Sequence, residues 1–137
     1  MKNKIALTLL AVALAASSHV LEAGGLLGAS YEDCAAAFGE PTSHDYGFGG
    51  DMYKFQKDEW EYGVVFHDRA AASILYSKID SSPVSLTDIE SIKNAYSDGL
   101  EWREQGKKLV RTDHKVYLEP TLAAVAVYTA EFRRSVR

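Results

Sequence analysis

Cys34 is the one cysteine in this 137-residue sequence. Its thiol could serve as a nucleophile, a soft metal ligand or half of a disulfide. It lies inside SYEDCAAAFGEP, residues 30–41, where Tyr31, Cys34, Ala35 and Phe38 recur at three- and four-residue spacings. That spacing draws one stripe of a short helix and predicts a thiol packed in a core. A catalytic couple with His67 or His114 and an intermolecular disulfide are the alternatives; an internal bridge needs a second cysteine. The histidines His44, His67 and His114 have no H-x-x-x-H spacing and no C-x-x-C accompanies them, so no metal and no cofactor is expected. Asp58, Glu59 and Glu61 form the densest acidic group. Acid–base work requires two carboxylates in contrasting environments, and neighbours in one solvated turn have the same environment. Gly47 to Gly50 reads GFGG, without the G-K-[S/T] ending or the following helix of a phosphate cradle. The expectation is a chain without catalytic activity.

The aromatic residues carry the functional expectation instead. Tyr46, Phe48, Tyr53, Phe55, Trp60, Tyr62, Phe66 and Tyr76 crowd one region. Part of this group fills the core; either the two short helices cover all of it, or the rings they leave uncovered form an aromatic strip, which is a protein-binding surface. The proposed contacts are Trp60 and Tyr62 on the sheet, with Tyr46 and Phe48 from the glycine-rich loop. This predicts a protein-binding domain. Inhibition of a periplasmic or extracellular enzyme is one alternative, and a small thiol-dependent enzyme using Cys34 is another.

These residues need a scaffold, and the ends of the chain delimit it. Lys2 and Lys4 precede IALTLLAVALAA, residues 5–16, and small residues follow. This is the pattern of a secretory signal peptide, with small-residue cleavage sites after Ala23 and after Ala15, and its apolar run is shorter than the roughly 20 residues that span a bilayer. Residues 1–23 are therefore read as a signal peptide and 24–137 as a single domain, exported to a periplasm or secreted. The net charge is −4, and the only basic cluster is Arg133, Arg134 and Arg137. Nucleic-acid binding needs clustered cations, so it is not expected, and neither is a membrane span. An exposed edge strand would leave room for a dimer.

Within the domain, Ser30 can cap the first helix and Gly39 with Pro41 stops it. Residues 45–48 are a short strand candidate. Tyr53 and Phe55 alternate with Lys54 and Gln56, and Trp60, Tyr62, Val64 and Phe66 share one face after a turn at Asp58-Glu59. Residues 73–79 make a third strand, so period two with short turns predicts an antiparallel meander. A second helix follows Pro83, with Ser85 and Thr87 competing as cap and Thr87–Glu90 at capping-box spacing. A loop carries Trp102. Residues 107–112, 116–119 and 121–132 then read as strands, the last apolar on both faces and so central. The order is roughly α-β-β-β-α-β-β-β: an α+β fold with an antiparallel sheet and two short helices packed on one face. The two halves share an α-then-β order.

The stretch GASYEDCAAAFGEP, followed by YGVVFHDRAAASILYSK, resembles a motif of small exported bacterial domains. It is similar to the helix-then-three-strand unit of the SmpA/OmlA (outer-membrane assembly lipoprotein) and β-lactamase-inhibitor-protein-like group. The second half, from LTDIESIKNAY to LAAVAVYT, looks like the C-terminal part of uncharacterised exported proteins, with His114 where that pattern has a glycine. The resemblance implies an exported binding domain and carries no catalytic residue. The lipobox cysteine of the lipoprotein members is missing from this sequence, so membrane anchoring is not implied.

Overall fold

The structure, a computed structural model, describes residues 25–47 and 49–136. The expected signal peptide lies outside the described residues. Ser30 caps helix α1 (Tyr31–Phe38): its Oγ accepts the Asp33 amide at 3.1 Å. Gly39, at φ 90, ends the helix as expected and donates its N–H to the Ala35 carbonyl, because a residue without Cβ enters that region without strain. Four antiparallel strands follow: β1 (Ser43–Gly47), β2 (Gly50–Lys57), β3 (Trp60–His67) and β4 (Ala70–Lys78). The β3–β4 turn places Asp68 and Arg69 both at positive φ, 51 and 68, which matches the twist of the strands it joins.

Helix α2 (Leu86–Ala95) starts a second unit of the same kind. Its cap is Ser85, and the capping box is closed by Asp88 rather than formed by Thr87 with Glu90. Then come β5 (Trp102–Gln105), β6 (Lys108–Arg111), β7 (Val116–Pro120) and β8 (Ala124–Thr129). Trp102 therefore opens a strand instead of sitting in a loop. The turn before β7 forms with His114 at φ 61, its N–H on the Arg111 carbonyl at 2.7 Å.

All eight strands form one antiparallel sheet in the order β1-β2-β3-β4-β8-β7-β6-β5. Each unit is a helix followed by a four-stranded meander, and the two meet at a single seam, β4 against β8, in register from Ser73↔Tyr128 to Ser77↔Ala124. The α+β class and the central place of β8 are as expected. The strand count is higher, and a third helix was not expected: the run 121–132 is strand only to Thr129. There the Thr129 hydroxyl accepts the Phe132 amide and starts α3 (Ala130–Ser135). A β-rich apolar run conceals such a break, since a threonine cap is also a good strand residue.

The two faces are unequal. One is covered by α1 and α2 over a core that includes Cys34, Phe38, Phe55, Tyr62, Ile74, Tyr76 and Ile92. Burying Phe38, 5% exposed, contributes about 1.5–3 kcal/mol, which an eight-residue helix needs because it is marginal alone. Among the described residues the opposite face carries only α3, packed at one end on Val65, Ala72, Tyr117 and Tyr128. No helix among the described residues is long and apolar enough to cross a membrane.

Candidate binding surface

The covered face absorbs most of the chemistry the sequence offered. Cys34 is 0% exposed, and burial, with Asp33 nearby, pushes its thiol up to about 11. A reactive thiol needs the reverse, a lowered pKa and access. The Tyr76 and Tyr96 hydroxyls share a buried hydrogen bond of 2.7 Å, whereas the buried Tyr62 hydroxyl has no partner among the described residues. Leaving a hydroxyl unpaired costs about 1–3 kcal/mol. Tyr62→Phe is therefore expected to keep or raise stability in urea denaturation, and a loss above about 1 kcal/mol would show a partner that this geometry omits.

The acidic turn is structural. Glu59 Oε1 accepts Lys78 Nζ at 2.7 Å, Asp88 lies 3.5 Å from the same ammonium, and the ammonium sits 4.1 Å over the Trp60 ring. It ties β4 to the start of α2. His44 stacks on Tyr53 with centroids 4.0 Å apart and contacts Asp51 at 3.2 Å. His67 and His114 line a groove of about 1140 Å³ at one end of the sheet, whose floor includes Ala71, Tyr96 and Phe132; Cys34 does not line it. Beside it, Arg111 holds Asp113 through two nitrogens at 3.0 and 2.8 Å. Those hydrogen bonds draw the Asp113 carboxyl down to about 2.

The proposed aromatic contacts divide three ways. Trp60 is 5% exposed and Tyr62 is 0% exposed, which corrects both as surface contacts. They point to the helix-covered face, where Tyr62 stacks on Phe38 at 4.1 Å and Trp60 meets Tyr76 edge-on. Phe48 lies outside the described residues. Tyr46 is 76% exposed, at the tip of the β1–β2 hairpin. Its register partner Asp51 is in turn opposite Phe66, so Tyr46 projects on the helix-bearing side.

The uncovered surface is the other face of the same strands. Register sets Lys54, Gly63, Leu75, Ala126 and Glu119 in one row across β2, β3, β4, β8 and β7. Leu75 stands in the middle, 45% exposed, between residues with little or no side chain. A Cβ on Gly63 would rest 3.6 Å from the Leu75 Cβ, so the absence of one leaves a hollow beside the leucine. One end of the hollow is walled by α3. Arg133 lies 4.8 Å over the Tyr117 ring and donates to its hydroxyl at 3.2 Å, Tyr117 stacks on Tyr128 at 5.6 Å, and Tyr128 donates to Glu119 at 3.0 Å. Leu75 was missed in the sequence, although its place between Ile74 and Tyr76 marks it: in a strand the middle of three apolar residues faces the opposite way.

No protein-family model and no curated protein matches this chain. Three solved structures are similar to it in part. One is a cysteine-rich secretory protein from Staphylococcus aureus Mu50, 13% identical with a TM-score of 0.47, covering 78% of this chain and 46% of that one. Another is a DUF4309 family protein from Bacillus subtilis strain 168, 15% identical with a TM-score of 0.40, covering 73% and 78%. The third is an extracellular protein containing an SCP domain from Bacillus anthracis Ames, 14% identical with a TM-score of 0.41, covering 78% and 45%. This chain thus spans less than half the length of the first and third.

Proposed function

We propose that this chain is an exported protein-binding domain without catalytic activity, and that it receives its partner on the uncovered sheet face. The observation that carries this reading is the hollow around Leu75, a half-exposed leucine on a sheet face that, among the described residues, only one short helix covers. A protruding apolar element of a partner would bury Leu75 and close over Gly63 and Ala126 without repacking the core. Central, desolvated anchors of this kind supply most of the free energy of an interface. Export rests on the N-terminal sequence, with its basic start, apolar run and small residues before Gly24.

The placement of Cys34 supports the non-catalytic reading over a thiol enzyme. Tyr46, exposed on a hairpin just before its glycine-rich turn, favours inhibition of an enzyme as a second reading, with the tyrosine entering the partner's cleft. Site-specific photocrosslinking in the native envelope separates the two. With the crosslinker at position 75, an adduct of one defined mass is expected; an adduct only from position 46 favours the hairpin. The exposed helix position Glu90 is the control. Equal adducts from 75 and 90, or none from either 75 or 46, would remove the proposal.

A further inference from the structure

A second row crosses the open face beside the one through Leu75. Register sets Met52, Val65, Ser73, Tyr128, Tyr117 and Val110 side by side on β2, β3, β4, β8, β7 and β6. Only Ser73 among them is neither aliphatic nor aromatic, and Tyr117 and Tyr128 stack within the row. Helix α3 lies over it: Phe132 packs into the same cluster, 6.0 Å from the Tyr128 ring, and Arg133 sits over Tyr117. Ala126 joins the two rows, since it pairs with Leu75 and packs against the cluster under α3. The apolar surface is therefore continuous, and α3 masks its aromatic half.

The attachment of α3 is local. Its first residue is fixed, because the Ala130 N–H donates to the Lys115 carbonyl at 3.0 Å. Beyond Ala130, no backbone hydrogen bond joins α3 to the sheet among the described residues. Side chains hold the rest: the Phe132 ring, which also meets His67 at 5.2 Å, and Arg133, which donates to the Tyr117 hydroxyl at 3.2 Å. One flank of the helix, with Phe132, Arg134 and Ser135, borders the open groove. A helix of six residues is not stable alone, so α3 stays folded only while docked.

We infer that α3 is a displaceable lid. It occupies the tyrosine row in the resting protein and swings out about Ala130 when the partner engages Leu75, so that the partner gains Tyr117 and Tyr128. This rests on the reading of the uncovered face as the binding surface. A ligand moves such an equilibrium only as far as it prefers the open form; contact with two aromatic rings, the side chains that contribute most to interfaces, supplies that preference. Affinity is reduced by the fraction that is closed, so loosening α3 strengthens binding.

The test uses Arg133→Ala, which removes the contact over Tyr117 and leaves Phe132 in place. One exposed cation–π contact shifts an equilibrium about two- to fivefold, so the open fraction should rise by that factor. In the purified protein the reporter is nitration of Tyr128 by tetranitromethane, mapped by mass spectrometry. It should rise about two- to fivefold relative to the exposed Tyr46, with the buried Tyr76 unmodified. In the native envelope, the yield of the adduct from a crosslinker at position 75 should rise in parallel. Phe132→Ser, which detaches the helix, should raise both further and let a crosslinker at position 117 capture the same mass; if it does not fold, Arg133→Ala decides alone. Unchanged nitration of Tyr128 would overturn the lid. So would an adduct from position 75 that falls as α3 loosens, which makes α3 part of the receiving surface, or one that stays constant while nitration rises; in both cases the face reading stands. Faster nitration with no adduct from position 75 in any variant would overturn the face reading and the lid together.

Discussion

In the folded protein Cys34 is expected to resist alkylation at pH 8 by about two orders of magnitude relative to the unfolded chain. Two effects close the two routes to it. Its thiol is pushed up to about 11 from the 8.5 or so of a free cysteine, so at pH 8 the thiolate, which is the reacting species, is roughly a hundredfold scarcer. The side chain is also wholly buried between α1 and the sheet, so reagent enters only when the helix opens. An opening free energy of about 3 kcal/mol, modest for a docked helix, then sets the protection at roughly a hundredfold, because the opened thiol regains its ordinary pKa. The measurement is mass-spectrometric labelling with iodoacetamide, with and without denaturant. Stoichiometric modification of the native protein within minutes would mean an accessible, ionised thiol, and would return the thiol-enzyme reading.

Phe55→Ala should be the most destabilising of the simple truncations, by about 3–5 kcal/mol. Phe55 is 0% exposed, and its ring lies 5.5 Å from Phe38 and 6.2 Å from Tyr31. It is thus the part of β2 on which α1 rests. Removing it leaves a cavity under the helix, and α1 is too short to reshape around it. A domain of this size has a total stability of roughly 5–15 kcal/mol, so the variant should sit near its unfolding threshold. It should also expose Cys34 by freeing α1, so labelling should accelerate more than global unfolding alone explains. A loss under about 1 kcal/mol in guanidinium denaturation would mean that α1 is not docked through Phe55.

Local patterns made much of this scaffold legible in the sequence. Ser30, Gly39 and Pro41 bound α1 because caps and breakers act within one turn. Alternation across Tyr53 to Phe55 and Trp60 to Phe66 set β2 and β3 because side chains in a strand change face at each step. The same alternation put Trp60 and Tyr62 on one face without saying which face is covered. That depends on where α1 and α2 land, and helices joined to the sheet by loops can pack on either side. The large aromatic rings of β2, β3 and β4 went to the covered face, where they fill the most volume, and the open face of the central strands kept Gly63, Leu75 and Ala126. A search for exposed aromatics therefore looked at the right strand and the wrong side of it. The helix α3 was hidden for another reason. Thr129 and the apolar residues around it satisfy strand and helix preferences alike, and only packing on Tyr117 and Tyr128 decides between them. The row joining Lys54 to Glu119 could not be read before the strand order was known, because it connects residues from five different strands.

The single seam between β4 and β8 governs the order in which the sheet can form. Within each meander, neighbouring strands are joined by short turns and can close early. The seam pairs residues roughly fifty positions apart, from Ser77 with Ala124 to Ser73 with Tyr128, so its closure carries a larger loop entropy and should limit the folding rate. Until it closes, β4 and β8 are open edges with Ile74, Tyr76, Val125 and Val127 unburied, and each would accept the matching strand of another chain. Folding at high concentration should therefore favour exchange of whole halves between molecules, and dilution should favour the monomer.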